Sequence, residues 1–148
     1  MMEQSKSSRS FVIRGLRRKH LKWSEAAPSG LAVDVSALML RQLPDGRLEQ
    51  GLPVFHPSAN QDEVLESLGL KLGFIAFAAI DVDAFTSRGY EIVTKPHDPS
   101  AAEVLGLPTP GDPRAPDAAR ELLPALRIIR PPTDKELAAI RRRSQGSR

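Results

Sequence analysis

The longest apolar run in the chain lies near its middle and predicts a buried strand. Every residue from 74 to 80 is apolar, in the order FIAFAAI. Successive side chains of a strand point to opposite faces, so both faces of this segment are apolar. Neither face can be left in water, as in a strand inside a sheet that is covered on both sides. We therefore predict a central strand here.

The residues after this run predict a short helical turn and a second strand. Asp81 or Asp83 can cap a turn that Gly89 ends in the left-handed conformation. Residues 90–94 then alternate between apolar and polar, which indicates a half-buried strand. Because residues 82–89 form a shorter connection than a parallel crossover needs, we predict that the two strands pair antiparallel.

The remaining pattern predicts a hairpin and several short elements. The turn signal at residues 44–46, Pro-Asp-Gly, predicts a hairpin with arms at 38–43 and 47–55. Capping residues and terminating glycines or prolines predict helices at 60–69, 100–106, 116–123 and 133–143. Short apolar runs predict strands at 11–13 and 126–129.

These elements together predict a single α+β domain with a small, mostly antiparallel sheet and short helices. No internal repeat divides the chain, and its 148 residues are enough for one sizeable core. We expect the domain to span residues 11–143. Residues 1–10 and 144–148 are polar, and we expect both to be disordered tails.

Composition narrows the class of protein. The chain is 41% hydrophobic and 26% charged, and no apolar run reaches the length of about 18 residues that a membrane span requires. The first residues have no apolar core of a signal peptide. The absence of cysteine excludes disulfides, thiolate zinc sites and a cysteine nucleophile. We expect a cytoplasmic protein with no membrane contact and no cofactor.

Charge is distributed unevenly along the chain. Residues 1–22 carry seven Lys or Arg and one acid, residues 23–126 carry seven and fifteen, and residues 127–148 carry seven and two. Two basic segments beside an acidic body indicate binding of nucleic acid or an acidic protein partner, or segments that lie against the body. The candidate contacts to such a partner are Arg14, Arg17, Arg18, Lys19, Lys22, Arg141, Arg142 and Arg143.

Few residues are candidates for catalysis. No two of the three histidines, His20, His56 and His97, are spaced as a local metal motif requires, so we predict no metal site. The candidate catalytic residues are Arg14, Asp81 and His97: Asp81 ends the buried strand, and His97 precedes an acid that can orient its ring. Capping and turn formation explain Asp81 and His97 without chemistry. Phosphate-binding glycine loops are absent.

Two resemblances bear on function. The order of an Arg-Arg start, a Pro-Ser connector, GLPVF, GFIAFAAIDVDAF with Arg88-Gly89-Tyr90, and AAEVLG resembles a set of short uncharacterised bacterial proteins. That resemblance covers most of the chain from Leu16 to Ile129, implies at most a fold and carries over no catalytic residue. Arg14 on a strand of a small antiparallel sheet resembles ADP-ribosyltransferase-like toxins, although no Glu-x-Glu pair follows.

Two function classes follow from these patterns. The first is a small accessory or binding module whose basic segments engage nucleic acid or an acidic protein. The alternative is a small enzyme or toxin, for example ADP-ribosyltransferase-like or part of a toxin–antitoxin pair, with a site near Arg14, Asp81 and His97. No substrate or oligomeric state is indicated.

Overall fold

The computed structural model describes residues 10–27 and 30–146. The strands are β1 (Phe11–Leu16), β2 (Leu21–Trp23), β3 (Leu31–Val33), β4 (Gly51–Phe55), β5 (Ala76–Asp81), β6 (Glu91–Lys95), β7 (Asp98–Leu105) and β8 (Leu126–Arg130). The helices are α1 (Gln61–Leu72), α2 (Val82–Thr86), α3 (Ala115–Leu122) and α4 (Asp134–Gly146). Short 3₁₀ turns occur at Arg18–His20, Val35–Leu38 and Leu123–Ala125.

Six strands form one antiparallel sheet in the order β6-β7-β4-β1-β5-β8, and β2 and β3 form a separate pair. The prediction of a single α+β domain with a mostly antiparallel sheet is confirmed. The predicted tail 1–10 lies outside the described residues except for Ser10, and α4 continues to Gly146. No helix in the described ranges is long and apolar enough to cross a membrane.

The core lies on both faces of the sheet. On one face, Val12 belongs to an apolar cluster with α2, α3 and the 3₁₀ turn at 35–38, while Leu16 belongs to a second cluster with β2, β3 and α4. On the opposite face, Ile13 and Phe77 pack against Leu65 of α1. The alternation of β1 side chains between the two faces places each residue in its cluster.

The predicted central strand is confirmed as β5. Its residues 76–80 are all buried, with β1 on one side and β8 on the other. Its predicted antiparallel pairing with the strand at 90–94 is wrong, because β6 pairs with β7 at the far edge of the sheet. The helix predicted at 100–106 is also wrong. Those residues belong to β7, which β4 and β6 flank, so burial of Ala102 and Val104 outweighs the local capping signal.

The predicted hairpin forms only at its turn. Leu43 N donates to Arg47 O at 2.7 Å, and one isolated bridge joins Gln42 to Leu48. The second arm continues into β4, which pairs with β7 and β1 instead. The predicted helix at 60–69 runs on to residue 72, where Gly73 supplies the left-handed residue with φ 77°.

The sheet is split between β1 and β4. The pairing of β1 with β5 covers all six residues of β1, whereas its pairing with β4 is limited to Ile13 and Phe55. The Phe74 ring packs against Gly15 beside this split, where a Cβ atom would lie 2.5 Å from Phe74 Cδ2. A side chain at residue 15 would therefore require the Phe74 ring to move.

Truncating the buried aromatic of β5 tests the core. Phe77 is 2% exposed, and its ring packs edge-on against Phe74 with centroids 5.6 Å apart. We expect Phe77→Ala to lower the free energy of unfolding by about 3–5 kcal/mol in a denaturant titration. The matched control is Leu70→Ala, at a site that is 87% exposed. It should change stability by less than about 0.5 kcal/mol, and similar losses in both variants would contradict this core assignment.

Candidate anion-binding pocket

Arg14 is a buried cation on an inner strand of the sheet. It shares a face of β1 with Val12 and Leu16 and is 8% exposed. Its Nε donates to Ala37 O at 2.8 Å and its Nη1 donates to Pro53 O at 3.1 Å, so the side chain bridges the split to β4. Within the described ranges, no carboxylate oxygen lies within 4.0 Å of the guanidinium. Burial lowers the pKa of Arg14 to about 10, so it stays protonated at neutral pH.

The split opens into a pocket of about 300 Å³. Four cationic side chains line it together with one carboxylate: Arg14, Arg17, Lys19, Arg41 and Glu49. The uncharged part of its wall consists of His20, Ser36, Met39, Leu40, Pro53, Phe55, Leu72 and Phe74. The pocket is therefore lined by a net excess of positive charge together with several apolar side chains.

Two of the cations are fixed by contacts with the protein. Arg17 Nη1 donates to Leu72 O at 2.9 Å, and its guanidinium lies 4.9 Å from the centre of the Phe74 ring. Arg41 donates to Glu49 twice, from its backbone N to Oε1 at 2.9 Å and from Nε to Oε2 at 3.2 Å. These contacts orient the rim of the pocket before any ligand enters.

His20 is held as a neutral ring. The backbone N–H of Arg17 donates to its Nδ1 at 3.0 Å, so in the neutral ring the proton is on Nε2. Burial is the main cause that lowers the pKa of His20 to about 4, and the nearby charges of Arg14, Lys19 and Arg17 act in the same direction. Asp34 opposes them weakly.

Two hydrogen-bond donors in the pocket have no partner in the protein. Among the described residues, neither Arg14 Nη2 nor His20 Nε2 has a hydrogen-bond acceptor. Both atoms retain contact with solvent, since Trp23 Nε1 is the sole fully buried side-chain polar atom left without a partner in the described part of the chain. A charged donor and a neutral donor without protein acceptors therefore belong to two residues that line one cationic pocket.

The other basic residues of the first segment are engaged elsewhere. Arg18 forms a bidentate ion pair with Glu136 of α4, with distances from Nη2 of 2.7 and 3.0 Å. Lys22 Nζ lies 2.6 Å from Asp34 Oδ1. The basic residues predicted to contact a partner are thus divided. Arg14, Arg17 and Lys19 line the pocket. Arg18 and Lys22 form ion pairs on the surface.

Helix α4 brings the second basic segment onto the first. Arg143 Nη2 donates to the carbonyl oxygens of Arg18 at 2.9 Å and of Leu21 at 3.1 Å. The guanidinium of Arg141 lies 4.8 Å from the centre of the Trp23 ring. Arg142 is exposed on the same helix. The two basic segments therefore pack against each other.

The three candidate catalytic residues do not meet. Asp81 lies at the end of β5, where its Oδ1 accepts from Arg127 Nη1 at 3.2 Å, and His97 lies in the turn between β6 and β7. Neither residue lines the Arg14 pocket. Asp81 occupies the predicted N-cap position directly before α2, but its side chain makes no capping hydrogen bond. The described residues contain no group of three or more His, Asp or Glu side chains suited to a metal ion.

The sequence does not indicate that His20, Arg41 and Glu49 belong to one site. Arg41 and Glu49 fall in segments predicted as hairpin arms, and the sequence marks His20 only as a candidate metal ligand or base. Their grouping depends on contacts between distant residues, such as the bond from Arg14 to Pro53 O across 39 positions. A comparison of the chain with protein-family models, curated proteins and solved structures finds no match.

The lowered pKa of His20 predicts a loss of stability in mild acid. The unfolded chain takes up a proton near pH 6.5, whereas the folded protein does so only near pH 4, so folding is disfavoured progressively as pH falls between these values. We expect the free energy of unfolding to fall by about 2–3 kcal/mol over this window.

Denaturant titrations at several pH values measure this effect. His20→Gln should flatten the dependence between pH 6.5 and 4, since no histidine has then to remain neutral at this site. The exposed His97 provides the control, and His97→Gln should keep the wild-type profile. Equal slopes in wild type and His20→Gln would contradict this assignment.

Proposed function

We propose that this protein is a binding module that recognises a phosphate group in the Arg14 pocket. The observation that carries the proposal is the state of Arg14 itself. Its charge is buried, its two protein acceptors are neutral carbonyl oxygens, and Nη2 is free to donate. A buried cation that has no carboxylate oxygen within 4.0 Å gains from an anion that enters the site.

The donors around the pocket support phosphate as that anion. The charged Nη2 of Arg14 can donate to a phosphate oxygen, and His20 Nε2–H provides a neutral donor for another. Lys19 and Arg41 add positive charge at the rim without fixing a direction. The apolar residues of the lining, which include Pro53 and Phe55, suit the organic part of a phosphate ester.

The expected binding to nucleic acid or an acidic protein stays a prediction. The intramolecular contacts of Arg18, Lys22 and Arg143 leave fewer cations free for a polyanion, which favours a ligand held in the pocket. A volume of about 300 Å³ is at the lower end for ligand pockets, which suits one phosphate group and a small substituent. The cytoplasmic location, the bacterial origin and the toxin–antitoxin role also stay predictions.

An ADP-ribosyltransferase-like enzyme is the second candidate. The observation in its favour is that Arg14 lies on an inner strand of an antiparallel sheet, in a pocket that also contains the carboxylate of Glu49. Incubation with NAD, with release of nicotinamide as the readout, tests this activity. Release that Arg14→Met and Glu49→Gln both abolish would favour the enzyme, and no release from folded wild-type protein would reject it.

Calorimetric titration at low salt tests phosphate binding, with glycerol 3-phosphate, propyl phosphate and inorganic phosphate as probes. We expect at least one organic phosphate to bind. Arg14→Met should weaken that binding about 10-fold to 100-fold, because a hydrogen bond to a charged group contributes about 1.5–3 kcal/mol. The control is Arg120→Gln, at an exposed arginine that pairs with Asp117 on α3, and it should bind like the wild type.

A second variant separates binding from folding. Arg14→Lys keeps a positive charge but loses the paired donors, so it should remain folded in a thermal melt and still bind more weakly than the wild type. Failure of the wild type to bind any of the three probes would overturn the proposed function.

Oligonucleotides with and without a 5′-phosphate distinguish a nucleic-acid source of the phosphate from a small molecule. Binding that requires the terminal phosphate indicates the pocket. Binding of both forms that weakens steeply with salt, and that is lost on replacing Arg17, Arg18 and Lys19 by alanine, would indicate backbone contacts by the basic segments instead.

A further inference from the structure

Glu49 is an acid in a site that otherwise attracts anions. Its side chain is 8% exposed, and it lines the Arg14 pocket. Glu49 and Pro53 also line an adjoining groove of about 720 Å³, which Lys95 and Glu103 line as well. Glu49 therefore lies at the boundary between the cationic pocket and a second open space.

The carboxylate is oriented but not saturated. Arg41 donates one hydrogen bond to each of its oxygens, at 2.9 and 3.2 Å. A carboxylate offers about four acceptor positions, so each oxygen can accept one further hydrogen bond. The described residues include no other hydrogen-bond donor to Glu49. A ligand group that donates can therefore complete this site.

Arg14 and Glu49 are separated by a gap. No ion pair within 4.0 Å joins them in the described ranges, yet the Glu49 charge is near enough to raise the pKa of Arg14 against the effect of burial. A ligand that contacts both side chains favourably presents an acceptor to Arg14 and a donor to Glu49. A phosphate oxygen that carries no proton is attracted by Arg14 and repelled by Glu49.

We propose that Glu49 accepts a hydrogen bond from a ligand hydroxyl, so that the pocket selects phosphate esters with free hydroxyl groups, such as sugar phosphates, over bare phosphate. This inference rests on the proposed function of the Arg14 pocket. The phosphate lies at Arg14, the hydroxyl-bearing carbons lie against Glu49, and any longer substituent extends past Pro53 into the adjoining groove.

A matched pair of ligands tests the selection without any mutation. Glycerol 3-phosphate and propyl phosphate share the phosphate and the three-carbon chain and differ in two hydroxyl groups. Calorimetric titration of the wild-type protein should give about tenfold tighter binding of glycerol 3-phosphate, the effect of one hydrogen bond to a charged acceptor. Inorganic phosphate should bind more weakly than both.

Two variants at position 49 should change the affinities for inorganic phosphate and for glycerol 3-phosphate differently. Glu49→Gln keeps an acceptor for the Arg41 backbone N–H but removes the charge, so inorganic phosphate should bind several-fold more tightly while the preference for glycerol 3-phosphate shrinks. Glu49→Met removes the acceptor, and the preference should be lost. Glu121→Gln, at an exposed acid on α3, is the control and should leave both affinities unchanged. Thermal melts establish that each variant is folded.

The outcomes separate this inference from the function on which it rests. Equal binding of glycerol 3-phosphate and propyl phosphate by the wild type, with binding still dependent on Arg14, overturns the role of Glu49 and leaves the phosphate pocket in place. The role of Glu49 is likewise overturned if folded Glu49→Gln and Glu49→Met keep the wild-type preference. Failure of the wild type to bind all three probes overturns the proposed function itself.

Discussion

The buried charge of Arg14 is the constraint around which the sheet and the pocket are arranged. Beyond the pairing of Ile13 with Phe55, strands β1 and β4 are not joined by ladder hydrogen bonds, and the Arg14 side chain connects them through Pro53 O. Its bond to Ala37 O ties in the 3₁₀ turn as well. Removing a cation of this size from water is costly unless hydrogen bonds satisfy it, and two carbonyl oxygens satisfy only part of its donor capacity.

The position of Arg14 between two apolar clusters explains why a pocket exists there. Val12 and Leu16, its neighbours on the same face of β1, belong to different clusters. A charged side chain between them interrupts the apolar packing, and the interruption opens to solvent beside the split. The unfilled donors and the pocket therefore have one origin, which is a cation in a position that an apolar residue would otherwise occupy.

The residues around this cation act on it in different ways. His20 remains neutral because it is buried close to Arg14, so it contributes a donor without adding to the local repulsion. Glu49 reduces that repulsion while its own charge is balanced by Arg41. Arg18 and Arg143 join the two basic segments, and this contact places Arg17 and Lys19 at the pocket rim on a supported surface. Such preorganisation lowers the entropic cost of binding a small anion.

Local patterns in the sequence determined the elements whose stability depends on their own residues. The apolar run 74–80 specified the buried strand β5, and Thr133 marked the start of α4, whose Glu136 N donates to the Thr133 hydroxyl. The charge pattern also identified Arg14, Arg17 and Lys19 as candidate binding residues. These signals are local, so no tertiary contact was needed to recognise them.

Only the tertiary structure decided how these elements pair and what they enclose. Residues 98–105 carry a helical capping signal but form β7, because two flanking strands satisfy their backbone hydrogen bonds. The pocket joins Arg14 to Glu49 and to the carbonyl of Pro53, which are 35 and 39 positions away in the sequence. No periodicity in a single sequence specifies which distant strands diverge, and the divergence of β1 from β4 is the physical reason that these residues share one site.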